Sequence, residues 1–133
     1  MDGNFAFMEE KYPVLAGFGS LAERYWHSDP NSCIMKIGMM GETIVNLIYE
    51  IDRIPRPKDD RADERIKKLL YEEYITADLS DILHELRKKR NHATHENYGT
   101  ERDTKRLLPM AYGLAEWFYM TYGDCSSLRM VLY

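Results

Sequence analysis

Residues Arg87 to Glu96 read RKKRNHATHE: four consecutive cations, an asparagine, two histidines three residues apart and a carboxylate. Within it, Arg90, Asn91 and His95 are residue types that can cleave a phosphodiester without a metal. Such cleavage of RNA needs a base for the 2′-hydroxyl proton, an acid for the leaving oxygen and a cation beside the phosphorane. Histidine suits the proton transfers because its ordinary pKa lies near about 6.5. Arginine suits the phosphorane because it stays charged and grips phosphate with two N–H groups. His95 would be the acid/base, Arg90 the phosphate clamp, and Asn91 the group that orients one or the other. On an unbroken helix Arg90 and His95 stand five residues apart, about 140° around the axis, and do not share a face. Asn91 and His95, four apart, do. A joint site therefore needs a helix that ends between them, an arginine that reaches around, or a second subunit.

Two other chemistries compete for the same stretch. His84, His92, His95 and Glu96 have a spacing from which three ligands could converge on a metal, but Arg87 to Arg90 would repel a cation, so no metal is expected. The third is phosphate contact. Arg87, Lys88, Lys89, Arg90, Arg102, Lys105 and Arg106 flank a turn and outnumber the nearby Glu85, Glu96, Glu101 and Asp103. Tyr98, inside the turn, can stack on a base. The plainest alternative is structural: cations in a last helical turn complement the helix dipole.

Five helical elements must position these groups. Leu15, Phe18, Leu21, Ala22 and Tyr25 recur at helical spacing in a first helix over roughly 8–27, with Pro13 placing the true start nearer Tyr12. Asp29-Pro30 is an N-cap followed by proline at the first helical position. From there Cys33, Ile34, Ile37, Met40, Ile44, Val45 and Ile48 draw one apolar stripe to about Ile51. Gly38 and Gly41 on that helix indicate close approach by a neighbour or local weakness. RIPRPKDD breaks the chain. A third helix follows over about 60–73, and a fourth starts at Asp78 or Ser80 and runs into RKKRNHATHE. Thr100, with Asp103 three residues on, forms a short capping box for the fifth. That helix is expected to end at Gly123, with Pro109 kinking it or marking its start. Residues 125–133 are then a tail, a short strand, a docked arm or the beginning of a linker. Nothing else alternates like a strand, so the expected architecture is all-α, an antiparallel bundle.

The 133 residues suit one core. With 44% hydrophobic and 30% charged residues the composition is that of a folded globular protein, and the net charge of −4 excludes whole-surface attraction to nucleic acid. No apolar run approaches the ~20 residues of a membrane span, and MDGNFAFMEEK lacks the regions of a signal peptide. Cys33 and Cys125 stand in no metal-binding spacing and read as reduced thiols of a cytoplasmic protein. No cofactor is expected. Trp117, Phe118, Tyr119 and Tyr122, with Tyr25 and Trp26, are expected mostly in the core. A protein-contact face of Trp26, Met39, Met40 and part of Trp117 is the alternative.

Arg90, Asn91 and His95 follow a pattern that resembles the HEPN signature: arginine, a polar residue, three or more residues, then histidine. ILHELRKKRN resembles the helical lead-in of those small bundles. A wider resemblance runs from about Asn4 to Asp124. The landmarks SDPNSC, DILHELRK, HATHE and WFYMTYGD resemble, in order and spacing, the HEPN-like N-terminal helical domain of type I restriction enzyme R subunits. Those are ATP-dependent DNA translocase-endonucleases. The resemblance implies an HEPN-like domain over 1–124, followed by a tail or linker over 125–133. It implies an accessory module that contacts DNA, RNA or other domains or subunits of a restriction-modification complex, without a membrane. The 133 residues hold no Walker A, DEAD/DEAH or PD-(D/E)xK pattern, so a fragment, a truncated product or a solitary homologue is expected. The HEPN signature implies instead a metal-independent ribonuclease acting as a homodimer, with motifs facing each other across a two-fold axis. A structural dimerisation module is the third expectation.

Overall fold

The computed structural model describes residues 3–96 and 98–132, with side chains described through Gly123. Among the described residues there are five α-helices and no strand: α1 (Pro13–Tyr25), α2 (Pro30–Ile51), α3 (Ala62–Tyr71), α4 (Ala77–Glu96) and α5 (Glu101–Leu132). A short 3-10 turn, Ala6–Met8, precedes them. The all-α bundle expected from the periodicity is the observed fold.

Several helix ends have a local cause. At α2 the Asp29 carboxylate accepts from the Ser32 backbone N–H at 3.2 Å, with Pro30 at the first helical position. At α5 the Thr100 hydroxyl accepts from Asp103 N–H at 3.2 Å while Thr100 N–H donates to the Asp103 carboxylate at 3.3 Å. This is the capping box the spacing predicts. The fourth helix starts earlier than Asp78 because Thr76 caps it, its hydroxyl accepting from Leu79 N–H at 3.3 Å. Helices α2 and α3 both close with a residue in the left-handed region, Arg53 (φ 54°) and Glu73 (φ 64°). The next N–H then donates five residues back, Ile54 to Tyr49 and Tyr74 to Leu69, each at 2.9 Å.

Gly123 does not end α5, and Pro109 lies inside that helix without starting it. A glycine within a helix costs only about 1 kcal/mol against alanine, too little by itself to end the helix. The short strand, one expectation for 125–133, does not form: the backbone is helical as far as Leu132. Its side chains, and Tyr133, lie outside the described residues.

Helix α2 is the centre of the bundle and packs on α1, α4, α5 and α3. Gly38 meets Arg90 and Gly41 meets Leu86 and Leu83, so α2 and α4 run antiparallel. Gly99 beside Asn31, and Tyr122 beside Asp52, make α2 and α5 parallel. The core is Leu15, Ile34, Ile37, Met40, Ile44, Ile48, Leu69, Leu86, Leu107 and Phe118, all at most 1% exposed. Phe5 and Met8 join it from the N-terminal segment. A Cβ at Gly19 would sit 2.2 Å from the Phe5 ring, so that glycine is what admits the aromatic. Met40 is wholly buried, which removes it from the expected contact face; Trp26 and Trp117 are partly buried against the core. No helix among the described residues is long and apolar enough to cross a membrane.

Candidate functional site: the RKKRNHATHE helix and the cleft behind it

Helix α4 is unbroken from Ala77 to Glu96, so the whole candidate motif sits on one continuous helix. The five-residue separation then has its full geometric effect. Arg90 turns toward α2. Its aliphatic stem lies on Gly38, where a Cβ would approach Arg90 Cβ to 2.5 Å and Cδ to 2.7 Å. Its guanidinium Nη1 is paired with the Glu42 carboxylate. His95 is exposed on the other side of the helix. Asn91 is exposed and touches the rim of the space that Arg90 faces. The three motif residues therefore do not converge within one chain: Arg90 and Asn91 share a cleft, and His95 stands outside it.

The histidines also separate. His92 packs against Tyr98, ring centres 5.4 Å apart, with Glu96 at 3.9 Å. His84 lies in a shallow groove with Asp63, Lys67, Asp81 and Glu85. Burial, and then the charges of Arg87, Lys88 and Lys67, push its pKa below the ordinary value, so its neutral form is favoured. Among the described residues, no three His, Cys, Asp or Glu side chains gather as a metal site. Cys33 is buried, and burial pushes its thiol up to about 12, which leaves it unreactive.

The seven cations around the turn divide by partner. Arg106 donates to Glu85 at 2.6 Å, Lys89 pairs with Asp103 at 3.6 Å, and Lys105 pairs with Glu101 at 3.9 Å. Arg90 has Glu42. Arg87, Lys88 and Arg102 have no ion pair among the described residues. Lys89 also lies over the Tyr98 ring, 5.4 Å from its centre, and Tyr98 itself is 51% exposed. The turn is anchored from α2: Asn31 Nδ2 donates to Ala93 O, and Gly99 N–H donates to Asn31 Oδ1, both at 2.9 Å. Gly99 has no room for a side chain, because a Cβ would lie 2.8 Å from Asn31 Cα.

Behind α4, a cleft of about 260 Å³ opens between α2, α3 and α4. Its floor is apolar, made of Val45, Ile66, Leu83 and Leu86. Its walls carry Glu42, Asn46, Asp63, Arg65, Arg87, Arg90 and Asn91. Arg87 Nε is buried with no hydrogen-bond partner. Burial raises the Asp63 carboxyl, but Arg61, Lys67 and Arg87 outweigh it and hold the pKa below the usual carboxylate range. Arg65 Nε donates to Asp60 at 2.6 Å, and its Nη1 to Asn46 Oδ1 at 3.2 Å. Sequence reasoning reached Arg87, Arg90 and Asn91 but not Asn46, Asp63 or Arg65, which come from α2 and α3. The available signal was the Gly38/Gly41 pair, which marks the face of α2 that α4 approaches.

Over residues 20–122 the chain matches the family described as "Domain of unknown function (DUF4145)". It is 26% identical over 116 residues to the type I restriction enzyme EcoKI endonuclease subunit of Escherichia coli (strain K12). That alignment covers 87% of this chain and 10% of that protein, so the chain spans about a tenth of the relative's length. No solved structure matches the chain significantly. The family match spans most of the sequence, and the chain belongs to the DUF4145 family.

Proposed function

We propose that this member of the DUF4145 family is a helical accessory module of a restriction-type endonuclease subunit, HEPN-like in fold, that contacts nucleic acid through the turn between α4 and α5. The observation that carries the reading is the similarity to the E. coli endonuclease subunit over 87% of the chain. Endonuclease, ATPase and translocase activities belong, in this reading, to parts of such a subunit other than these 133 residues. The partners are other domains or subunits of the restriction complex and a second copy of the chain, in the cytoplasm. Helicase-type coding sequence following the codon for Tyr133 would support this placement.

The surface geometry supports a modest phosphate contact. Four of the seven cations near the turn are held by carboxylates, which leaves Arg87, Lys88 and Arg102 without an ion pair. Of these, Lys88 and Arg102 are exposed. Each cation that neutralises a phosphate contributes about −0.9 to the slope of log K against log salt. Duplex DNA binding measured by fluorescence anisotropy is expected to weaken with salt, with a slope near −2 to −3. Lys88→Ala and Arg102→Ala are each expected to reduce that slope by about 1. Binding that does not depend on salt, or that both variants leave unchanged, would remove the turn as the contact.

A second reading, a metal-independent ribonuclease acting as a homodimer, is favoured by one feature. Asn91 and His95 are both exposed on one face of α4, open to a facing subunit. In that case RNA cleavage in EDTA accompanies a dimer in sedimentation, and Arg90→Ala and His95→Ala abolish cleavage.

A further inference from the structure

We propose that the cleft between the N-terminal segment, the end of α1 and the middle of α5 receives an arginine side chain of a partner polypeptide. Its guanidinium lies on the Trp26 ring and bonds to the Glu23 carboxylate and the Lys105 carbonyl. Occupancy of this cleft is independent of whether the chain contacts nucleic acid or serves a restriction subunit.

The cleft has a volume of about 520 Å³. Its apolar walls come from three parts of the chain: Phe5, Trp26, and the α5 residues Leu108, Pro109 and Tyr112. Trp26 and Tyr112 are only partly buried, which leaves ring surface open to a ligand. These walls are in place before any ligand arrives. The buried Thr104 hydroxyl donates to the Trp26 carbonyl at 2.8 Å and ties the end of α1 to α5. Phe5 meets Tyr112 edge-on, ring centres 5.6 Å apart. A pre-formed aromatic site loses little freedom on binding.

The fixed polar groups of the cleft are acceptors. Among the described residues the Glu23 carboxylate accepts from Asn4 alone, at 3.0 Å from its backbone N–H and 2.8 Å from its side-chain amide. Both donors are neutral, so no cation matches that charge. The second acceptor follows from Pro109. Proline has no N–H, so the Lys105 carbonyl, four residues back, lacks its helical donor. Residues 105, 109 and 112 share one face of α5, and that face lines the cleft. A carboxylate without a cation, a carbonyl without its donor and an aromatic face together suit a planar cation with several N–H groups.

The chain already places a cation of its own there. Lys105 Nζ lies over the Trp26 ring, 5.8 Å from its centre. It is loosely held, because its partner Glu101 is 3.9 Å away and also pairs with His27, and the Lys105 side chain is 63% exposed. A guanidinium displaces this ammonium because it is more weakly hydrated, stacks flat on an aromatic ring and meets a carboxylate with two N–H groups. Free arginine is the poorer occupant. With Lys105 moved aside, no fixed cation lines the cleft to meet an α-carboxylate, and an arginine within a polypeptide carries none.

Chemical-shift titration of the isotope-labelled 133-residue chain reads this site directly, because Trp26 lines the cleft and Trp117 does not. The ligands are an end-blocked tripeptide with arginine between two glycines, its lysine and citrulline counterparts, and free arginine. The Trp26 indole N–H resonance is expected to move and saturate with the arginine peptide while that of Trp117 stays in place. The lysine peptide is expected to bind severalfold more weakly, and the citrulline peptide, which keeps the shape and loses the charge, more weakly still. Glu23→Gln is expected to weaken the arginine peptide roughly tenfold, the scale of losing a hydrogen-bonded charge. Lys105→Gln is expected to tighten it severalfold by removing the resident cation. Pro109→Ala gives the Lys105 carbonyl a helical donor, so binding should weaken severalfold while the urea midpoint rises. A damaged fold would neither tighten binding nor raise the midpoint. Equal binding of the lysine peptide would overturn the guanidinium assignment, and equal binding of the citrulline peptide the cation site itself. Tighter binding of free arginine would overturn a polypeptide as its source, and unchanged binding in Pro109→Ala would overturn the role of the Lys105 carbonyl. An unmoved Trp26 resonance at millimolar peptide, or binding indifferent to Glu23→Gln, would overturn the cleft as the site.

Discussion

The lack of a side chain at position 38 determines where Arg90 goes. A Cβ there would lie 2.5 Å from Arg90 Cβ, an atom fixed to the α4 backbone that cannot step aside like the end of a flexible chain. Three residues on, a Cβ at Gly41 would meet Leu86 and Leu83 at 3.5 Å and beyond, ordinary contact. The two glycines therefore predict opposite outcomes. Gly38→Ala should push α4 off α2 and destabilise the fold by about 1–3 kcal/mol, the usual cost of overpacking. Gly41→Ala should be neutral or stabilise by up to about 1 kcal/mol through helix propensity. Urea denaturation of both variants checks this, and a Gly38→Ala protein as stable as its parent would show that the close approach is not needed.

At the scale of elements, the caps are what sequence reading handles best, because a cap is a local bargain between side chain and backbone a few residues apart. Asp29-Pro30 and Thr100-x-x-Asp103 were both legible for that reason, and both form. Thr100→Ala should remove the hydroxyl's part of the capping box, where it accepts from Asp103 N–H and donates to the Asp103 carboxylate, and cost about 1 kcal/mol. The loss should appear in chemical denaturation, while a change at the exposed Glu116 should leave the midpoint in place. An unchanged midpoint for Thr100→Ala would mean that the turn is held by Asn31 rather than by its cap. Helix ends away from such signals were less legible. Gly123 looked like a terminus, yet α5 continues past it, because glycine only weakens a helix and neighbouring residues decide whether it stops.

For the whole molecule, the charged groups predict how stability follows pH. His84 has its folded pKa below the ordinary 6.5, through burial and then Arg87, Lys88 and Lys67. Asp60, Asp63 and Asp103 have theirs below 3.8. The Arg65 hydrogen bond leads at Asp60. At Asp103, burial acts in the opposite sense and is outweighed by bonds to Thr100 and the charge of Lys89. In each case the unfolded chain binds more protons than the folded one, so stability rises with pH across both windows. It should be full above about pH 6.5 and fall in a first step as pH drops through the folded His84 value. A second step should follow below the ordinary carboxylate value. His84→Gln should erase the first step and keep the second. Denaturant midpoints from pH 8 to pH 3 measure this, and a first step that persists in the variant would assign it to another group.

The sequence by itself determined the helices, two of their caps and the central apolar stripe of α2, and it marked Arg90, Asn91 and His95 as candidates for chemistry. All of these depend on spacings of a few residues along one chain, where helical geometry alone relates the parts. Tertiary structure decided the rest. It buried Phe5 against Gly19, and it turned Arg90 toward Glu42 and His95 toward solvent. It also brought Asn46, Asp63 and Arg65 into one cleft with Arg87. Those pairings join residues 14 to 48 positions apart, and which of them meet is set by how α1, α2, α3 and α4 pack rather than by any local pattern.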